Sequence, residues 1–118
     1  MFITGAAGGI GAEVARRLHA KGARLVLTDL DQAQLNKLGA ELGDERVLTV
    51  VADVRDRAAM QAAADHAIDR FGGIDTVMAN AGIASYGSVL QVDPEAFRRL
   101  IDVNVLGCTT RCGPRCRR

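Results

Sequence analysis

Four short apolar runs divide the first eighty residues, and each is followed by a segment whose apolar residues recur at helical spacing. Met1–Thr4, Arg24–Thr28, Arg46–Ala52 and Asp75–Ala79 read as strands, apolar along their length rather than alternating. The first helix is expected over Gly9–Lys21, with Ile10, Val14 and Leu18 on its inward stripe and Gly22 stopping it. Asp31 opens a second helix with Leu35, Leu38 and Leu42 inward, ended by Gly43. Asp56 caps a third that turns Met60, Ala63, Ala64, Ala67, Ile68 and Phe71 inward and closes at Gly72-Gly73. Asp93-Pro94 starts a fourth, with Phe97, Leu100, Ile101 and Val105 inward. The order is βαβαβαβα. Strands that are apolar on both sides must be covered on both faces, and crossovers are right-handed. The expected fold is therefore α/β, a Rossmann-type doubly wound parallel sheet.

The connection from the first strand to the first helix is Thr4-Gly5-Ala6-Ala7-Gly8-Gly9-Ile10-Gly11. Phosphate binding needs backbone N–H groups aimed at the anion and a helix N-terminus behind them. Gly5 suits the tight turn, Gly9 lets the backbone approach a pyrophosphate, and Gly11 lets the helix pack closely on the strand. Any tight strand-to-helix turn also uses glycine, so the setting matters. Asp29 follows Gly11 by 18 residues and ends the second strand, where a carboxylate can accept both ribose hydroxyls of an adenosine. Asp29 also suits a turn or an N-cap, and Asp31 is the alternative holder of either job.

At this point the residues resemble a known family. Thr4-Gly5-x-x-x-Gly9-Ile10-Gly11 is similar to the cofactor turn of short-chain dehydrogenases/reductases. Asp53-Val54 after the third strand resembles that family's adenine-contacting pair. Asn80-Ala81-Gly82 after the fourth resembles its Asn-Ala-Gly motif, which supports the sheet beside the cofactor. Asn104, in Val103-Asn104-Val105, resembles the asparagine of the family's catalytic tetrad, which holds a proton-relay water. The resemblance runs over residues 1–107 in order and spacing. It implies a nicotinamide dinucleotide as cofactor and a small alcohol or carbonyl as substrate of the full-length enzyme. Asp29 opposes the 2′-phosphate of NADP by like charge, and Gly8 stands where NADP-preferring relatives often carry a basic residue, so NAD is the expected cofactor. Methyltransferases also place glycine-rich turns on parallel sheets, but Asn80-Ala81-Gly82 and Asn104 speak against that class.

The same resemblance implies a serine and a Tyr-x-x-x-Lys pair beyond the asparagine. The tyrosine would act as general acid/base, the lysine would lower its pKa, and the serine would orient the carbonyl. An unperturbed phenol titrates near 10, so the cation is needed for work near neutrality. The single tyrosine, Tyr86, is followed four positions later by Leu90, and both lysines, Lys21 and Lys37, precede the third strand. Tyr86 is expected to pack in the loop after the fourth strand, beside the loop residues Ser85 and Ser88. His19 and His66 read as helix-surface residues. Asn104 is thus the one tetrad member present, and no turnover is expected of this chain alone. The family's sheet continues with a fifth strand, so the fourth is expected to leave an exposed edge open to self-association.

Residues 108–118 differ in composition from residues 1–107. The first 107 carry eleven basic and fourteen acidic side chains, whereas the last eleven hold Arg111, Arg115, Arg117, Arg118 and no acid. Cys108, Cys112 and Cys116 fall at helical spacing, but Gly113-Pro114 interrupts a helix and no fourth ligand stands near, so no metal site is expected. Four arginines without a folded basic surface do not make a nucleic-acid site. The tail reads as a disordered end, or as the product of a reading-frame shift after Gly107. Shifted from the last base of that codon, permissible codons yield Val-Tyr-His-Thr-Val-Arg-Ala-Ala-Leu-Pro-Ala, which continues the amphipathic helix. No apolar run is long enough to cross a bilayer and no basic leader precedes one, so a cytoplasmic setting is expected. A non-catalytic dinucleotide-binding module and a nonfunctional truncation product are the alternative accounts.

Overall fold

The computed structural model describes residues 1–88 and 90–109. β1 (Phe2–Thr4), β2 (Leu25–Asp29), β3 (Val47–Val51) and β4 (Val77–Met78) form one parallel sheet in the order β3-β2-β1-β4. Between them run α1 (Gly9–Ala20), α2 (Gln32–Leu42) and α3 (Arg57–Phe71). α4 (Pro94–Asn104) follows β4 and leads into a 3₁₀ turn at Leu106–Thr109.

The register explains why the strands are apolar throughout. Phe2 lies beside Val26 and Val77, and Ile3 lies beside Leu27 and Met78. Successive side chains point to opposite faces, so the two sets feed two cores. Ile3, Leu25 and Leu27 bury against Ala12 and Ala15 of α1 and Leu35 and Leu38 of α2. Phe2 and Val26 bury against Met60, Ala63, Ala64 and Ala67 of α3. Each fully buried large apolar side chain contributes about 2 kcal/mol. The doubly wound sheet follows from this coverage.

Three helices begin on aspartate caps, as their sequences require. Asp31 Oδ1 accepts from Gln34 N at 3.0 Å, and Asp56 Oδ1 accepts from Ala58 N and Ala59 N at 2.9 and 3.0 Å. Asp93 Oδ2 accepts from Ala96 N at 3.3 Å. Such a cap is worth about 1 kcal/mol. α1 has no side-chain cap.

Several expectations need correcting. Ile10 is 72% exposed rather than inward, and the packing face of α1 is made by Gly11, Ala12 and Ala15, with Val14 and Leu18 half-buried. Ile10 sits in the first helical turn, above the end of the sheet rather than against it. β4 covers two residues rather than Asp75–Ala79, because β1 is itself short and Asn80 already turns to bond Thr4. No residue of α4 is buried: Phe97 is 57% exposed, Ile101 and Val105 are exposed, and Leu100 is half-buried. Among the described residues β4 pairs with β1 alone, so the sheet offers α4 no further strand to cover. Tyr86 is 96% exposed and does not pack in its loop. His66 is exposed and His19 half-buried. Cys112, Cys116 and the four tail arginines lie outside the described residues.

Candidate functional site

The carboxyl ends of the parallel strands open onto a groove of about 500 Å³. Open α/β sheets bind ligands at this end. The turn after β1 supplies Gly5, Ala7, Gly8, Gly9 and Ile10; the end of β2 supplies Asp29, Leu30 and Asp31; the end of β3 supplies Ala52, Asp53 and Val54. Asn80, Ala81, Gly82 and Ile83 close the side beyond β4, and Gln34 and Val103 complete the lining.

The turn is held tightly from behind. Gly5 has φ of +61°, and a Cβ there would lie 2.7 Å from Ala81 Cα. A Cβ on Gly11 would run into the Gly5 carbonyl oxygen and lie 2.9 Å from Ala6 Cα, so only glycine lets α1 start this close to the turn. The buried Thr4 hydroxyl accepts from Asn80 N and Ala81 N, both at 3.1 Å. Asn80 Nδ2 donates to Thr4 O at 3.2 Å and to Gly5 O at 3.0 Å. The segment after β4 is thereby stitched to the turn after β1. Thr4 and Gly11 do not line the groove themselves; they fix the residues that do.

In front, the site offers donors and acids. Gly8, Gly9 and Ile10 line the groove where α1 begins uncapped. The Gly8 amide donates back to Gly5 O at 3.3 Å, but the first helical amides have no intrahelical acceptor, so Gly9 and Ile10 present N–H groups with the positive end of the helix dipole behind them. A Cβ on Gly9 would meet no atom within 4 Å. That space lies open to an anion.

Asp29 is half-buried and bridges two backbone amides, Ala7 N to Oδ2 at 2.9 Å and Asp31 N to Oδ1 at 3.1 Å. Those bonds fix its carboxylate across the end of β2. The Asp31 side chain is spent on capping α2. Asp53 is gripped by Arg55, whose guanidinium holds its carboxyl below the usual carboxylate range against an opposing push from partial burial. Three carboxylates and no basic side chain line the groove among the described residues.

Asn104 ends α4 and stands outside the lining. Its Oδ1 accepts from Ile83 N and its Nδ2 donates to Ile83 O, both at 2.9 Å. It thus clamps the loop that continues the Asn80-Ala81-Gly82 wall. Ser85, Tyr86 and Ser88 are exposed, and none of them lines the groove. Ala7, Leu30, Ile83 and Arg55 were not singled out from sequence. Each stands within two residues of one that was, and that adjacency is the only signal they carry.

The sequence matches the model of the short chain dehydrogenase family over residues 1–113, running past Gly107. Galactitol 2-dehydrogenase (L-tagatose-forming) of Cereibacter sphaeroides is 40% identical over 105 residues, covering 89% of this chain and 41% of that protein. A short-chain dehydrogenase/reductase, glucose/ribitol dehydrogenase, from Brucella melitensis superposes with a TM-score of 0.93 at 37% identity, over 98% of this chain and 49% of that one. The 3-ketoacyl-(acyl-carrier-protein) reductase of the same organism, complexed with NADH, gives 0.87 at 38% identity, over 91% and 44%. The chain spans less than half the length of each of these relatives.

Proposed function

The chain belongs to the short-chain dehydrogenase family, with its NAD(P)-binding Rossmann fold, and on that premise we propose that the groove takes NAD as part of an oxidoreductase acting on an alcohol or carbonyl substrate. The observation that carries the choice of NAD is the Asp29 carboxylate, pinned by the Ala7 and Asp31 amides in a groove that no basic side chain of the described residues lines. A ribose diol can donate to that carboxylate. A 2′-phosphate meets like charge there, and no cation among the described lining residues offsets it.

The residues present fit a dinucleotide. The uncapped amides at Gly9 and Ile10 would hold the pyrophosphate, and the open space at Gly9 admits it. Asp29 would hold the adenosine ribose, and Asp53 and Val54 the adenine. Asn80, Ala81 and Gly82 would border the nicotinamide half. When bound, NAD supplies the hydride acceptor for an alcohol, or in reduced form the donor for a carbonyl. Asn104 keeps the Ile83 loop beside that half of the groove in place.

Proton transfer to or from substrate oxygen needs a group of its own. Tyr86 is fully turned to solvent, and neither Lys21 nor Lys37 lines the groove. The 118-residue chain by itself therefore binds NAD without turnover. No helix among the described residues is long and apolar enough to cross a membrane, and the proposed setting is the cytoplasm. The open edge of β4 is the proposed place of self-association. The frame-shift reading of residues 108–118 is tested by sequencing the encoding DNA across the Gly107 codon.

Isothermal titration with NAD and NADP tests the cofactor reading. Saturable binding with NAD at least tenfold tighter than NADP is expected, since each tenfold step needs only about 1.4 kcal/mol of charge repulsion. Equal binding, or tighter NADP, overturns it.

A further inference from the structure

We infer that Arg55 is a positioning residue for the adenine end of the groove, holding the Asp53 carboxylate in one orientation where a purine's exocyclic amine can donate to it. The inference rests on the proposed reading of the groove as a dinucleotide site. It goes beyond that reading by assigning a role to a side chain that does not itself line the groove.

Arg55 stands two residues after Asp53 and folds back over it. Its backbone N donates to Oδ1 at 2.8 Å. Its Nε lies 3.1 Å from Oδ1 and 3.0 Å from Oδ2, and its Nη2 donates to Oδ2 at 2.6 Å. An ordinary surface ion pair leaves both side chains free to wander. Here a backbone amide and a guanidinium fork act on one carboxylate from one side, which over-determines its orientation. The three N–H groups of Arg55 make four contacts, two on each carboxylate oxygen, so neither oxygen can turn without losing one. Asp53 lines the groove, so the carboxylate that Arg55 fixes is part of its wall. Arg55 also sets the charge at this end. Removing Arg55 leaves the Asp53 carboxylate without its paired cation, and Asp102 of α4 adds a weaker attraction on the same guanidinium.

The test uses the full chain and two probes, NAD and nicotinamide hypoxanthine dinucleotide, whose base carries a carbonyl in place of the amine. Wild type should bind NAD about tenfold more tightly than the analogue, the worth of one hydrogen bond to a charged acceptor. Asp53→Ala and Arg55→Ala should both lose that preference, and Arg55→Lys should keep part of it. In Arg55→Ala the preference is read at neutral pH, where a purely structural loss would weaken binding of both probes alike and leave their ratio unchanged. Circular dichroism checks that each variant is folded, and Arg55→Lys serves if Arg55→Ala is not. If Asp53→Ala loses the preference while Arg55→Ala keeps it, the role of Arg55 is overturned and the groove reading stands. If neither variant changes the preference, the adenine role of Asp53 falls and that of Arg55 with it. If wild type binds neither probe, the dinucleotide reading itself fails.

Discussion

Gly9 and Gly11 stand two residues apart in one turn, yet alanine should have opposite effects at them. At Gly11 the new Cβ would run into the Gly5 carbonyl oxygen and sit 2.9 Å from both Ala6 Cα and Asn80 Nδ2. The first two obstacles are backbone, and Ala6 is tied to Thr28 O by its own N–H at 3.0 Å, so they cannot swing aside. α1 must shift away from the turn, at an overpacking cost of about 1–3 kcal/mol. Displacing Asn80 endangers its bonds to Thr4 O and Gly5 O, each worth about 1 kcal/mol. A loss of about 3 kcal/mol corresponds to a melting temperature roughly 12 °C lower, at about 4 °C per kcal/mol. At Gly9 the Cβ meets nothing, and φ is not positive, so alanine is neutral or stabilising by about 0.5 kcal/mol. The methyl group nevertheless stands where an anion must approach the amides. NAD affinity should fall by roughly an order of magnitude, the worth of one amide–phosphate contact. Thermal unfolding and isothermal titration of both variants read the two effects separately. A Gly11→Ala protein that melts within about 2 °C of the parent, or a Gly9→Ala protein that binds NAD unchanged, would refute the assignment of packing to one glycine and ligand approach to the other.

Three further outcomes are expected. Asp29→Asn keeps an acceptor for one backbone amide but removes the charge, so the NAD-to-NADP affinity ratio should drop by about tenfold, measured by titration; an unchanged ratio would remove Asp29 from the specificity argument. Asp53 has its carboxyl held low by Arg55, so the pair stabilises the fold above the ordinary carboxylate range and loses that contribution as pH falls through the depressed value. Acid unfolding of Arg55→Ala, followed by circular dichroism, should therefore begin at higher pH than in the parent, and coincident curves would contradict this. Phe97→Ala on exposed α4 should change stability by less than about 0.5 kcal/mol, whereas Phe2→Ala in the core should cost about 3–5 kcal/mol; denaturant unfolding that ranks them the other way would show α4 to be packed.

What the sequence revealed of the fold came through residues whose local physics is unambiguous. The aspartate caps at positions 31, 56 and 93 open helices in the structure as expected, and the glycines at 43 and 72 close them. Unbroken apolar strands announced a sheet covered on both faces. The groove was legible because glycine spacing and a distant acid meet at one end of a parallel sheet: nine of the eleven residues expected to bind cofactor line it, and Thr4 and Gly11 lie directly behind. Ile10 was misread because period-four spacing favours large apolar residues, while α1 packs through glycine and alanine, which carry little hydrophobic signal. The stripe on α4 is real as a pattern, but a pattern does not say whether anything covers it. Arg55 could not be found from periodicity at all, since it grips Asp53 inside a loop.

The most direct test of the groove as a dinucleotide site is to follow backbone amide resonances of the isotope-labelled chain during NAD titration. If the groove takes NAD, the saturable shifts concentrate at Gly8, Gly9 and Ile10, with Leu30, Val54 and Gly82 moving in step, while buried Ala15 and Ala63 stay still. Absence of shifts, or shifts centred on α4 instead of the turn after β1, would contradict it.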